Sequence, residues 1–304
     1  MKKKIAIFAI TLLLIFTLTG CGDYNAPIHE GVGWYEKITV VPLGYVLQFF
    51  ASLFNNSFAA GIIFLTIIVR TIAWPIYAKT NDFSMKMSLM NPEMQKIQAK
   101  YITRKDPESQ QKMQLEMMAL YKKYGVNPLG CLFPFLQMPI FMAMYATVVR
   151  ISIAATYEQN DLGQEVIKYE SIFFGGANST LNKNLFGLID LSQSSFGNGF
   201  NVGIFILALL VGVTMGVLQY LSTKKPSYAK NIPNPVQSQQ AESMNKMMKF
   251  MNVFMVIMMV AMAFQNGALA FYWIIGNIYS IGQNLVNRFL SEKKYKKMKD
   301  NLSV

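Results

Sequence analysis

The sequence predicts an all-α integral membrane protein, with a five-helix transmembrane core, a cytoplasmic two-helix hairpin and an amino-terminal interfacial helix. Three observations carry this. The chain is 53% apolar and 14% charged, with a mean hydropathy of +0.29, outside the range of ordinary soluble domains. Beyond residue 21, five apolar stretches are long enough for a hydrocarbon core of ~30 Å. The net charge is +12, and the Lys and Arg residues concentrate in alternate loops.

Residues 1–20 read as a lipoprotein signal peptide: Lys2, Lys3 and Lys4, an apolar run from Ile5 to Phe16, then Leu18-Thr19-Gly20-Cys21. Small residues before a cysteine at the end of such a run resemble a lipobox, which makes Cys21 the expected lipid attachment site and puts the mature amino terminus outside. An ordinary signal peptide with an incidental cysteine is the alternative.

The outer segment 21–56 contains Ile38 to Phe54, uncharged and nearly long enough to cross. If it crossed, every later loop would invert. It is therefore expected to be interfacial, with Pro42 in its first turn and Leu43, Val46, Leu47, Phe50, Leu53 and Phe54 on one apolar face. A re-entrant hairpin with the next span is the competing reading.

The spans are expected at 57–80, 128–150, 201–221, 246–265 and 267–287, with an outer loop at 151–200, a cytoplasmic loop at 222–245 and a basic cytoplasmic tail at 288–304. On this topology the inner segments 79–128, 222–249 and 287–304 hold 20 Lys and Arg against 8 acids. The outer segments 22–57 and 151–200 hold 3 against 8. That asymmetry obeys the positive-inside rule, so the charge needs no nucleic acid and no DNA partner is expected. The tail suits anionic lipid, although a solvated tail that only fixes topology fits equally.

Residues 81–127 predict the cytoplasmic helical hairpin. Met87, Met90, Met94, Ile97 and Tyr101 step by 3 and 4, as do Met113, Met117, Leu120 and Tyr124, with Asp106-Pro107 between the halves. The methionines either hold the hairpin together or offer an adaptable apolar surface that captures a substrate.

Within the spans, Arg70 is costly, about 2.5–3.5 kcal/mol on insertion scales. Trp273, Asn277, Ser280 and Asn284 form one stripe of the last span, and Gln137 and Gln219 stand near the inner ends of theirs. Together they predict a hydrated groove open to the cytoplasm. Singly, the amides and Ser280 serve equally well as interhelical glue, and Gly212–Gly216 has the spacing of a helix-packing site. No acid lies in any span to pair with Arg70. One histidine, two cysteines (Cys21 and Cys131) and no Walker-type loop argue against zinc sites, a disulfide framework, nucleotide hydrolysis and histidine-based catalysis. No catalytic residue, metal or cofactor is expected.

Several segments resemble the YidC family of membrane-protein insertases, relatives of the mitochondrial and chloroplast insertases. They are Met90-Asn91-Pro92-Glu93-Met94-Gln95-Lys96-Ile97, Tyr124-Gly125-Val126-Asn127-Pro128-Leu129-Gly130-Cys131, Pro134, Gln137-Met138-Pro139-Ile140-Phe141, and Leu269-Ala270-Phe271-Tyr272-Trp273 with Asn277. With the lipobox, the chain looks like the Gram-positive lipoprotein form. The resemblance implies a hairpin that receives nascent membrane proteins and a groove holding Arg70, Gln219 and Trp273. It implies insertion of short polar tails into the bacterial cytoplasmic membrane, with the ribosome and the Sec translocon as further candidate partners. The rival readings are a small-solute transporter, which would show paired repeats and ionisable couples, and a non-inserting assembly scaffold.

Overall fold

The computed structural model describes residues 25–101, 106–126, 133–160, 164–174, 181–197, 199–223 and 239–302. The signal segment with Cys21, residues 127–132 with Cys131, and the 224–238 loop lie outside the described residues. The helices are α1 (Trp34–Ile38), α2 (Val40–Leu53), α3 (Phe58–Ile72), α4 (Trp74–Tyr101), α5 (Pro107–Lys123), α6 (Phe133–Arg150), α7 (Val202–Thr223), α8 (Gln239–Ala263) and α9 (Gly267–Leu302). Between α6 and α7, β1 (Ala155–Gln159) pairs antiparallel with β2 (Glu165–Glu170), and β3 (Asn184–Leu185) with β4 (Ile189–Asp190). The chain divides into two compact units. The first holds the described parts of Met1–Thr71, Leu136–Met215 and Ile257–Ile278; the second holds those of Ile72–Phe135, Gly216–Val256 and Tyr279–Val304.

In the first unit, α2 buries Val40, Gly44, Leu47 and Ala51. That packed face shares only Leu47 with the face expected to meet the interface, and Leu53 and Phe54 of the latter are exposed. Two small residues explain it. The Phe173 ring lies so close to Gly44 that a methyl there would collide with it, and Ala51 is completely covered. The helix is apolar on both sides, and close approach decides which side packs. Phe50 and Phe54 stack on Phe64 of α3 at centroid distances of 4.7 and 5.3 Å.

The expected first span is interrupted at Ala73. Pro75 lacks an N–H and its ring clashes with the preceding turn, so α4 restarts at Trp74 with Pro75 in its first turn, where that N–H is not needed. By length and composition, one helix among the described residues, Val202–Ser222, can cross a membrane unaided. Val40–Leu53, Phe58–Ile72, Pro139–Arg150 and Asn252–Ala263 are shorter apolar helices. Gly212 lets α7 approach α8, since a methyl on it would lie 3.1 Å from Val260, whereas Gly216 faces open space.

In the second unit, α4 and α5 pack antiparallel around buried Met90, Leu120 and Val126, with Phe83, Met87, Met94, Ile97, Tyr121 and Tyr124 against them. The Asp106 carboxylate accepts the Ser109 amide at 2.8 Å and caps α5, and Pro107 opens it. At the other end Gly125 takes a φ of 58°. The Val126 amide then donates to Tyr121 O at 2.8 Å and the Gly125 amide to Lys122 O at 3.1 Å, a Schellman closure that glycine permits.

Candidate functional site

In the first unit, half-buried Arg70 near the end of α3 lays its guanidinium over Gly276 of α9. A methyl on Gly276 would sit 3.0 Å from Nη2. The missing side chain makes a slot for the permanently charged group. On the next residue, buried Asn277 donates through Nδ2 to Thr214 Oγ1 of α7 at 3.1 Å. Thr214 in turn donates to Leu210 O at 2.8 Å and Val211 O at 3.1 Å. Trp273, one turn before Asn277, is 3% exposed, and its indole N–H has no hydrogen-bond partner among the described residues. A buried donor without a partner costs stability unless something else meets it. Gln137 lies on α6; its side chain is outside what is described.

In the second unit, Asn284 Nδ2 donates to Ser222 Oγ at 3.3 Å, while its buried Oδ1 has no partner among the described residues. Buried Asn287 accepts from Trp74 Nε1 at 3.2 Å, and Trp74 meets Tyr279 edge-on. Gln219 and Ser280 are half-buried in this unit, and Gln283 is buried. The seven expected groove residues thus divide: Arg70, Gln137, Trp273 and Asn277 belong to the first unit, Gln219, Ser280 and Asn284 to the second.

The hairpin methionines divide too. Met90 is fully buried, and Met87 and Met94 pack in the seam. Met113 and Met117 are half-buried. The most exposed large apolar side chains of α5 are instead Leu115 at 66% and Met118 at 56%. Glu93 binds Lys123 Nζ at 2.8 Å and the Tyr124 hydroxyl at 2.7 Å. Those two donors, the lysine first, hold the Glu93 carboxyl below the ordinary carboxylate range. Burial, followed by the hydrogen bond to Glu93, pushes the Tyr124 phenol up to about 12. Lys100 and Tyr101 similarly bind Glu116, at 2.6 and 3.0 Å.

Sequence reasoning missed Gly276, Thr214 as a partner of Asn277, Ser222, Asn287 and a second buried arginine. Arg150, at the end of α6, donates through Nε to Ala26 O at 2.9 Å and through Nη2 to Pro27 O at 3.1 Å. Its Nη1 stands 2.8 Å from Glu36 Oε1 of α1. A Gly one residue before an intramembrane Asn was the available signal for the Arg70 slot. The Arg150–Glu36 pair had none.

The sequence profile of the family described as "60Kd inner membrane protein" matches residues 49–294. A protein named "Membrane protein insertase YidC 2" from Bacillus anthracis is 31% identical over 285 residues, 93% of this chain and 92% of its own. "Membrane protein insertase YidC" of Alkalihalophilus pseudofirmus is 30% identical over 305 residues, 99% of each chain. "Membrane protein insertase YidC" of Oceanobacillus iheyensis is 32% identical over 297 residues, 97% of this chain and 100% of its own. This helical chain, with an arginine seated against a glycine among apolar helices and similar along nearly its whole length to relatives named YidC insertases, therefore belongs to the 60Kd inner membrane protein family.

Proposed function

We infer that this chain is a membrane-protein insertase and folding chaperone of the bacterial cytoplasmic membrane, acting on nascent membrane proteins. The observation that carries the reading is similarity to named insertases over nearly the full length. Arg70 over Gly276, Asn277 bonded to Thr214 and the unpartnered Trp273 indole supply a polar foothold among apolar helices. A substrate's short hydrated tail, brought into hydrocarbon, loses water contacts at a cost of several kcal/mol per unsatisfied group. Groups already in the bilayer that replace part of that water lower the barrier. Arg70 adds a charge-assisted contact for Asp or Glu in the tail. The substrate's apolar segment then passes into lipid, and its burial, with the membrane potential on acidic tails, drives the step.

In this reading the core has five spans, and Arg70, Gln137, Gln219, Trp273, Asn277, Ser280 and Asn284 line one groove open to the cytoplasm. The α4–α5 hairpin projects into the cytoplasm and captures substrate through Met87, Met90, Met94, Met113 and Met117, joined by exposed Leu115 and Met118. The mature chain is a lipoprotein, acylated at Cys21 outside, with its carboxyl terminus inside. Anionic lipids, the ribosome and the Sec translocon are its further proposed partners.

Reconstituting the pure protein into liposomes and following protease protection of a short single-span substrate tests this. Protection of the translocated tail is expected. A scaffold would bind the substrate without protecting it, and a solute transporter would do neither.

A further inference from the structure

The segment between β2 and α7 is stitched by its backbone to the starts of two helices in the first unit. Asn182 O accepts the Phe58 amide of α3 at 2.9 Å. Gln193 O accepts the Gly267 amide at 2.9 Å and Leu191 O the Ala268 amide of α9 at 2.7 Å. Ile189 packs on the start of α7, where a methyl on Gly203 would lie 2.7 Å from its Cγ1. Leu181, Leu185 and Leu191 all point into the core. The β3–β4 hairpin is thus held firmly at the starts of three helices.

Its tip shows the opposite chemistry. Phe186 is 89% exposed and Leu188 87%, the two highest values among the large apolar side chains described. They flank Gly187, and no charged residue occurs from Asn184 to Ile189. Phe186 has a φ of 52° and Gly187 one of 72°. A phenylalanine rarely occupies the left-handed region, where Asn or Gly costs less. In water, both the composition and the backbone of this turn would be unfavourable. The apolar exposure continues beside it: Val202, Ile206 and Leu209 on α7 are each about half exposed or more, beginning one residue from Gly203. Phe196 and Phe200, exposed at 63% and 60%, join Phe205 and Phe264 in an aromatic cluster at the same end of α7. Exposed rings without a polar tip, at the end of an apolar helix, suit hydrocarbon better than water.

We propose that the Phe186–Gly187–Leu188 turn is a fixed wedge inserted into the acyl region of the outer lipid leaflet, continuing the lipid-facing surface of α7. The occupant is lipid because the bare side chains extend an apolar helix surface, and the turn offers no charged group to a polar partner. The outward placement rests on the topology of the proposed function. The wedge sets the depth of the hairpin, and through its backbone stitches the depth at which α3 and α9 begin.

The test uses full-length protein with Cys131→Ser and either Leu188→Cys or Phe186→Cys, labelled with an environment-sensitive fluorophore in phosphatidylethanolamine–phosphatidylglycerol vesicles. Helix content by circular dichroism must match the parent. Lipids carrying a spin label high on the acyl chain should quench either position several-fold more than aqueous iodide does, and Glu158→Cys on β1 should show the reverse. In intact spheroplasts, external dithionite should bleach the label. Iodide quenching without lipid quenching at both positions would overturn the wedge. Quenching that rises with protein density between labelled copies, in place of lipid quenching, would name a second copy as the occupant and also overturn it. Lipid quenching with protection from external dithionite would keep the lipid contact but overturn the outer leaflet, and with it the proposed topology.

Discussion

Arg150 and Glu36 form an ion pair away from water: Nη1 lies 2.8 Å from Oε1, with the side chains 2% and 9% exposed. At that separation the guanidinium and the carboxylate attract each other directly. Nε and Nη2 of the same group spend their protons on the carbonyls of Ala26 and Pro27. Removing one partner leaves the other buried and charged, a loss of about 3–5 kcal/mol, whereas replacing both with apolar groups of similar volume is much milder. Glu36→Ala or Arg150→Ala should therefore lower the thermal unfolding midpoint in detergent sharply. The double change Glu36→Leu with Arg150→Met should recover most of it. Additive losses in the double variant would show that the two groups are not coupled.

Arg70 should act by charge in a wet groove. Arg70→Ala is expected to slow insertion of acidic-tailed substrates about tenfold, the equivalent of ~1.4 kcal/mol, and neutral-tailed ones less. Arg70→Lys should keep part of the activity, because an ammonium retains the charge but loses the fork. Gly276→Leu, which fills the slot over which the guanidinium lies, should be worse than Gly276→Ala. Protease protection in vesicles measures all four. Equal losses for both tail types would reject charge attraction. Cysteines at Gln219 and Asn277 that resist a water-soluble maleimide added from the cytoplasmic side would reject hydration.

Exposed and buried residues of the hairpin should separate capture from folding. Leu115→Ser with Met118→Ser changes exposed side chains, so it should cost under about 1 kcal/mol of stability while reducing substrate crosslinking severalfold. Met90→Ser empties a position with no exposure and should instead unfold the α4–α5 pair, at about 2–5 kcal/mol. Unchanged crosslinking in the first variant would exclude that surface.

The Glu93 cluster predicts acid and alkaline limits for the hairpin. Because the folded Glu93 carboxyl is held below its ordinary 4.5, its contribution is complete above that value and lost as pH falls through the lowered one. Tyr124 works in the other direction: raised from 10.0 to about 12, it contributes fully below 10 and loses that contribution as pH rises through about 12. Hydrogen exchange along Pro107–Lys123 should accelerate at both ends of this window. Glu93→Gln should flatten the acidic limb; an unaltered acidic limb would show that another group controls it.

Mature protein should begin at a diacylated Cys21, and Lys112→Cys should label only when the cytoplasmic side is accessible. Mass spectrometry of the amino-terminal peptide and labelling of intact cells check the two. An unmodified Cys21, or Lys112→Cys labelled from outside, would overturn the proposed anchor or topology.

The helical class was legible because long apolar runs have few alternatives, and the start of α5 was legible because Asp106-Pro107 carries its own cap chemistry. Near Tyr124-Gly125-Val126, the left-handed glycine that ends α5 is likewise a local signal. The buried face of α2 was not legible: with apolar residues on both sides, periodicity could not weigh the Phe173 ring against Gly44. Nor was the pairing of β1 with β2 inside segment 151–200 legible. Strands of five and six residues, exposed for most of their length, have little hydrophobic alternation to reveal them. Arg70 stood out by its cost in a span. Its seat on Gly276 and the Arg150–Glu36 pair depend on residues distant in sequence, and no local pattern announces them.

The stitches between the outer segment and the helix starts also order events in time. The Phe58 amide of α3 cannot find the Asn182 carbonyl until most of the chain has left the ribosome, and α9, whose start is closed by Gln193 and Leu191, is synthesised last of all. On the proposed topology, α3 therefore enters the bilayer with an unfinished terminus, its amides hydrated at the interface. A chain that completes other membrane proteins thus reaches closure of its own first unit only near the end of translation. Truncations ending before Asn182 should leave the α3 terminus open to exchange, and full-length chains should close it.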